Sequence, residues 1–168
     1  MSYLSILDWA TKYGVSRAAL DELLMTTYMP PVVSGLSGEM AVQQQIRAEA
    51  PALGGILGRN NRGAYLDDRG VEVRYGWLND SKKVNNVLKT GDLLGITEVV
   101  DPISRIPYGV FTMPEIKAPG YGGPRTKHDQ AQARAIMLVR KYHGIAGFAS
   151  DVEHYRKMIT DYRAGIRP

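Results

Sequence analysis

Apolar residues recur at helical spacing at the front of the chain, with Leu4, Leu7 and Ala10 followed by Leu20, Leu23 and Leu24. Gly14-Val15-Ser16 interrupts the pattern, so residues 3–28 are expected to form two short helices. Tyr28-Met29-Pro30-Pro31 stops this unit, and the Gly- and Ser-containing stretch from Val32 to Gly38 reads as a linker. The expected division is a helical hairpin over 1–36 and a larger domain over 37–168.

In the larger domain, Ser37 is positioned to cap a helix that runs to about Glu49 and stops at Pro51. Gly54, Gly55 and Gly58 read as a loosened stretch before the polar, basic turn Arg59-Asn60-Asn61-Arg62-Gly63. Asp67-Asp68-Arg69-Gly70 is a turn signal, and Val71-Glu72-Val73-Arg74-Tyr75 alternates as a hairpin strand does. Gly76 to Lys83 is expected to be a loop. Gly91-Asp92-Leu93-Leu94-Gly95-Ile96 and Phe111-Thr112-Met113-Pro114-Glu115-Ile116-Lys117 read as strands, and Gly144–Ala149 as a short buried strand. Helices are expected from about Lys127 to Tyr142 and, after a capping box at Ser150-Asp151-Val152-Glu153, to about Arg163.

Composition narrows the classes. At 168 residues, 44% of them hydrophobic, the chain is long enough for one full core, and no apolar run reaches bilayer-spanning length. The start lacks a basic segment followed by an apolar one, and there are no cysteines. These features point to a cytoplasmic setting, no membrane association, and no disulfide, thiolate-zinc or cysteine-nucleophile chemistry. Motifs for a phosphate-binding loop, a serine nucleophile elbow and a zinc protease are absent, and His128, His143 and His154 are too dispersed for a zinc site. A net charge of +4 favours a polyanionic partner, with DNA leading.

The candidate chemistry lies in the two central strands. Alternation puts Glu115 and Lys117 on one face and Ile116 on the other, toward a core. If the strands are neighbours, Asp92 comes near Glu115, which places two hard oxygen ligands around a cation with a lysine beside it. That arrangement suits Mg²⁺-assisted hydrolysis, with Mn²⁺ as a substitute. Pro114 cannot donate to a ladder and marks an edge, bulge or bend. Gln132 on the following helix is either a surface residue or a hydrogen-bonding partner turned toward the site. Glu39 in a first helical turn is either a favourable helix-dipole charge or part of the site. Trp77 has two readings, a nucleic-acid contact or packing on the domain's own surface.

In the front unit the order Ala10, Gly14, Ser16, Leu20 fits a helix-turn-helix, with Arg17 as its basic contact. The alternative is a packing or dimerisation hairpin, which leaves a homodimer open. Outside the site, Arg59, Asn60, Asn61, Arg62, Lys82, Lys83, Arg125 and Lys127 are candidate nucleic-acid contacts.

Taken in order, Glu39, a β-hairpin, Asp92, Glu115-x-Lys117 and Gln132 resemble the PD-(D/E)xK nuclease superfamily. Arg59-Asn60-Asn61-Arg62-Gly63, Val73-Arg74-Tyr75-Gly76, Asn79-Asp80-Ser81, Gly91 to Gly95 and Glu115 to Gly120 look like VRR-NUC-type phage and prophage proteins. The resemblance covers about residues 37–155 and departs at Gly91, where the superfamily has Pro. It implies an α/β, restriction-endonuclease-like mixed sheet flanked by helices, and a Mg²⁺-dependent DNA endonuclease of phage type, structure-selective or nicking, in a bacterial host cell. It also implies metal ligation by Asp92, Glu115, the Ile116 carbonyl and Glu39, with Lys117 and Gln132 completing the catalytic set. The competing expectation is a non-catalytic DNA-binding protein that uses the front hairpin.

Overall fold

The computed structural model describes residues 6–28 and 33–166. Leu4 and the stop at Met29-Pro30-Pro31 therefore lie outside the described residues, as do the side chains of Leu7 and Leu24. Two compact units divide between Pro31 and Val32. The first holds helices α1 (Ile6–Lys12) and α2 (Arg17–Tyr28). Gly14 takes a left-handed φ of 66° between them, which a residue with a Cβ adopts only with strain. Ser16 Oγ accepts from the Ala19 N–H at 3.1 Å, the cap that the sequence leads one to expect. Ala10 and Leu20 are buried.

The second unit contains α3 (Gly38–Glu49), β1 (Gly55–Arg59), β2 (Gly63–Leu66), β3 (Glu72–Tyr75), α4 (Lys82–Val87), β4 (Leu93–Val100), β5 (Pro107–Ile116), α5 (Lys127–Lys141), β6 (Ile145–Ala149) and α6 (Val152–Arg163). Its larger sheet has the order β1-β4-β5-β6, with β1–β4 and β4–β5 antiparallel and β5–β6 parallel, and β2 and β3 pair as a separate antiparallel hairpin. The result is a mixed sheet flanked by helices. The parallel β5–β6 pair needs a crossover, and α5 supplies it.

Each face of the sheet has its own core. On one, Val42 and Ile46 of α3 and Tyr155 and Ile159 of α6 pack with Leu57, Leu93, Val110, Ile116 and Ile145. On the other, Ala135, Ile136 and Val139 of α5 pack with Met113 and Ala146. The period-two pattern of β5 therefore sends Ile116 toward α3 and α6 and its neighbours toward α5.

Several local readings differ from the structure. The glycines around residue 55 do not loosen the chain, because Gly55 and Gly58 belong to edge strand β1. A Cβ on Gly95 opposite would come within 1.8 Å of the Ile56 carbonyl oxygen, so the glycine permits the close approach of the two strands. Ser37 stands at the N-cap of α3 without a side-chain hydrogen bond there. As expected, α3 ends at Glu49 just before Pro51, which sits in the first turn of a following 3₁₀ segment, Ala50–Leu53, a position where its missing N–H costs nothing. The cap of α6 is Asp151, one residue beyond Ser150, and its carboxylate accepts from the His154 N–H at 2.7 Å. The stretch after Gly76 contains α4, which Ser81 caps. The turn before β3 forms as expected, with the Gly70 N–H donating to the Asp67 carbonyl at 2.8 Å. Trp77 packs on the domain, its ring 5.0 Å from that of Phe111. No described helix is long and apolar enough to cross a membrane.

Candidate active site

The β4–β5 register pairs Gly95 with Thr112 and Ile96 with Phe111. Carried three residues further, it sets Asp92, just ahead of β4, opposite Glu115. The strands approach closely here, since a Cβ on Gly91 would lie 2.8 Å from both the Pro114 carbonyl oxygen and Met113 Cγ. A side chain at this position would have to displace the Pro114 backbone, so glycine suits it. The Ile116 N–H donates to Asp92 Oδ2 at 3.0 Å, tying the carboxylate to the neighbouring strand. Asn60 fixes the preceding backbone. Its amide nitrogen donates to the Gly91 carbonyl and to Thr90 Oγ1, both at 2.9 Å, and its N–H donates to the Asp92 carbonyl at 2.8 Å.

Glu115 and Lys117 both face α5. They are 2% and 8% exposed, and Gln132 is 3% exposed. Lys117 Nζ donates to Gln132 Oε1 at 2.8 Å and lies 3.3 Å from both Glu115 Oε1 and Asp129 Oδ1. The Gln132 amide nitrogen in turn donates to Glu115 Oε1. The glutamine thus bridges lysine and carboxylate, using both ends of its amide. The ammonium also sits over the rings of Tyr121 and Phe148, at 5.3 and 5.6 Å from their centroids, contacts that favour a cation.

Two buried oxygens in this neighbourhood lack partners, Glu115 Oε2 and the Tyr121 hydroxyl. Burial, then the negative charge of Asp92, pushes the Glu115 carboxyl up to about 8, against the opposing charges of Lys117 and Arg62. Burial disfavours the charged form of Lys117, but Glu115 and Asp129 outweigh it and raise its pKa. Asp129 is held well below the usual carboxylate range, first by the Thr126 N–H and, among smaller causes, by Lys117.

The expected residues do not all assemble. Asp92, Glu115, Lys117 and Gln132 come together, and Ile116 joins them through its backbone. Glu39 is exposed in the first turn of α3, and among the described residues no three Asp, Glu or His side chains form a metal-binding group. The physical reason is that α3 packs on the Ile116 face of the sheet, whereas Glu115 and Lys117 face α5. Asp129 is a participant that the sequence reading missed. The Thr126-x-x-Asp129 spacing was a readable signal of the capping box, though not of the lysine contact: Thr126 Oγ1 accepts from the Asp129 N–H, and Asp129 Oδ2 accepts from the Thr126 N–H, both at 3.0 Å. One carboxylate therefore closes the capping box of α5 with one oxygen and holds Lys117 with the other.

A cleft of about 790 Å³ has Asp92 among its lining residues, together with Asn61, Arg62, Arg74 and Lys89. Of the candidate nucleic-acid contacts, Asn60, Asn61 and Arg62 line it. The Asn60 amide, however, is engaged with backbone. Lys82 pairs with Glu72 at 3.4 Å, while Arg59, Lys83, Arg125 and Lys127 are exposed. In the other unit, Arg17 pairs with Asp21 at 2.9 Å. The sequence matches no protein-family model, and no curated protein or solved structure is found to match it.

Proposed function

We propose that the chain hydrolyses DNA phosphodiesters with a bound divalent cation, Mg²⁺ or in its place Mn²⁺, as an endonuclease with a site and sheet of the PD-(D/E)xK, restriction-endonuclease-like kind. The observation that carries this reading is Glu115 Oε2, a buried carboxylate oxygen without a hydrogen-bond partner beside a second carboxylate, Asp92. Buried polar atoms ordinarily have partners, and burying a carboxylate beside a second, half-buried one is costly unless a cation offsets their repulsion. The residues fit such an ion: Glu115 Oε2, Asp92 Oδ1 and the Ile116 carbonyl are hard oxygen donors of the type Mg²⁺ takes, with water completing its shell. Glu39 is left out of this set.

When bound, the cation lowers the pKa of a water and polarises the phosphoryl oxygen. The chain's own residues do the rest. Lys117, held charged by Glu115 and Asp129, orients the attacking oxygen and offsets charge developing on the phosphorus-bound oxygens. Gln132 fixes the direction of the ammonium and of Glu115, while Tyr121 and Phe148 keep the lysine head where it is. A non-catalytic DNA-binding role through the front hairpin has less support, because Arg17 is paired with Asp21.

Supercoiled plasmid incubated with Mg²⁺ or Mn²⁺ tests the proposal. Cutting is expected, and EDTA should abolish it. Activity that survives EDTA, or that persists in both Asp92→Ala and Lys117→Ala, overturns it.

A further inference from the structure

The cleft beside Asp92 is lined by two kinds of cation. Arg74 is tied down by hydrogen bonds to Glu72 at 2.7 Å and Asn79 at 3.1 Å. Asn79 is itself buried, donating to the carbonyls of Gly63 and Tyr75 at 2.8 and 2.9 Å. These bonds hold the β2–β3 hairpin in shape, and the Arg74 guanidinium is already neutralised by Glu72. Arg62 and Lys89 also line the cleft. Among the described residues Arg62 enters no hydrogen bond or ion pair, and Lys89 Nζ reaches only Asn85 Oδ1, at 3.4 Å. Asp92 is the one carboxylate lining the cleft, so two cations face an opening with little to balance them.

The backbones that carry these two side chains are fixed even though the side chains are free. Lys89 N–H donates to the Ala131 carbonyl of α5 at 3.1 Å, and Asn60, two residues before Arg62, is bonded to the Asp92 segment. Unpaired cations on a fixed frame are what binding a phosphate requires, since little order has to be gained when the ligand arrives. The positive charge of Arg62 is also felt at Glu115, and Asp92, the other carboxylate of the pair, lines the cleft.

We infer that Arg62 and Lys89 form a phosphate-binding subsite that takes a backbone phosphodiester of the nucleic-acid strand next to the one cut. Lys117 and Gln132 do not line the cleft, so a strand lying in it crosses Asp92 to reach them, with an uncut phosphate between Arg62 and Lys89. The inference rests on phosphodiester hydrolysis at Asp92 and Glu115, but its binding half can be measured without any reaction.

The probe is a short fluorescein-labelled oligothymidylate, titrated with the full chain in EDTA at several salt concentrations and read by anisotropy. Arg62→Ala and Lys89→Ala are each expected to weaken binding and to lower the slope of log K against log salt by about 0.7, the share of one phosphate contact on a single strand. Arg62→Lys should keep the slope. Unchanged affinity and slope in both alanine variants overturn the subsite even if the protein cuts DNA, and so does a failure of the unsubstituted chain to bind at low salt. If binding shows these losses while no DNA is cut under any divalent cation, the subsite stands and the hydrolytic reading falls.

Discussion

The buried cluster around Glu115 and the cleft beside it handle charge in opposite ways. In the cluster, Lys117 is almost wholly enclosed, and each of its partners, Glu115, Asp129 and Gln132, is set by a strand or a helix. In the cleft, Arg62 and Lys89 point into an open volume and lack a carboxylate partner. The difference shows which effects should be nearly all-or-none and which graded. A buried ionic network fails when one member is removed, because the remaining charges are left uncompensated in a low dielectric. An open cationic wall loses one screened contact at a time.

The largest expected effect breaks the cluster. Asp92→Ala and Lys117→Ala should each reduce metal-dependent plasmid cutting by roughly a hundredfold or more, the scale on which loss of one preorganised stabilising group is felt. Arg62→Ala should leave the turnover of saturated enzyme closer to that of the parent and act through substrate affinity. Initial rates over a range of DNA concentrations separate the two. Equal losses of turnover in the Lys117 and Arg62 variants would erase the distinction.

Next comes the pH dependence of stability. The Glu115 carboxyl is raised from 4.5 to about 8 in the folded chain, so between those values the folded state holds a proton that the unfolded state has released. Metal-free stability from this group is therefore fully present below about 4.5 and lost as pH rises through about 8, by on the order of a few kcal/mol. Thermal melts in EDTA should fall across this window, Glu115→Gln should flatten the fall, and Mg²⁺ should oppose it by binding the ionised form. Arg62→Ala should leave the slope largely in place. Melts that rise with pH over the same window would contradict the assignment.

A smaller effect is expected from the strand contact beneath Asp92. Gly91→Ala sets a Cβ 2.8 Å from the Pro114 carbonyl oxygen, whereas at Gly58 the nearest atom is 3.8 Å away. Gly91→Ala should cost about 1–3 kcal/mol, as overpacking does, and Gly58→Ala far less. Denaturant midpoints compare them directly, and equal midpoints would remove the claim of close approach. Smallest is the cap of α5: Thr126→Ala should cost about 1 kcal/mol and, by loosening Asp129, reduce cutting more than it reduces oligonucleotide binding in EDTA. A binding loss as large as the loss of cutting would instead assign Asp129 to the cleft.

Several parts of this were legible in the residues. The alternation Glu115-Ile116-Lys117 determined that carboxylate and ammonium share a face, because a strand sends successive side chains to opposite sides whatever it packs against. The spacing of Ala131, Ala135, Ile136 and Val139 likewise determined the buried face of α5 and brought Gln132 onto it. Gly14 and Ser16 determined the turn and cap of the front hairpin from their own backbone and hydroxyl chemistry. Local rules such as these act within a few residues.

What lay beyond local rules was decided by tertiary structure. Edge strand β1 carries two strand-weakening glycines, Gly55 and Gly58, yet it pairs with β4, since cross-strand approach favours glycine where another backbone comes close. Glu39 and Asp129 are both acidic residues in the first turn of a helix, and nothing in their immediate sequence says which one meets Lys117. That choice depends on which face of the sheet each helix covers: α3 lies against Ile116, while α5, crossing between the parallel strands β5 and β6, lies against Glu115 and Lys117. The same holds for the cleft, whose lining cations come from separate segments of the chain, two of which Asn60 and Asn79 tie to backbone carbonyls distant in sequence.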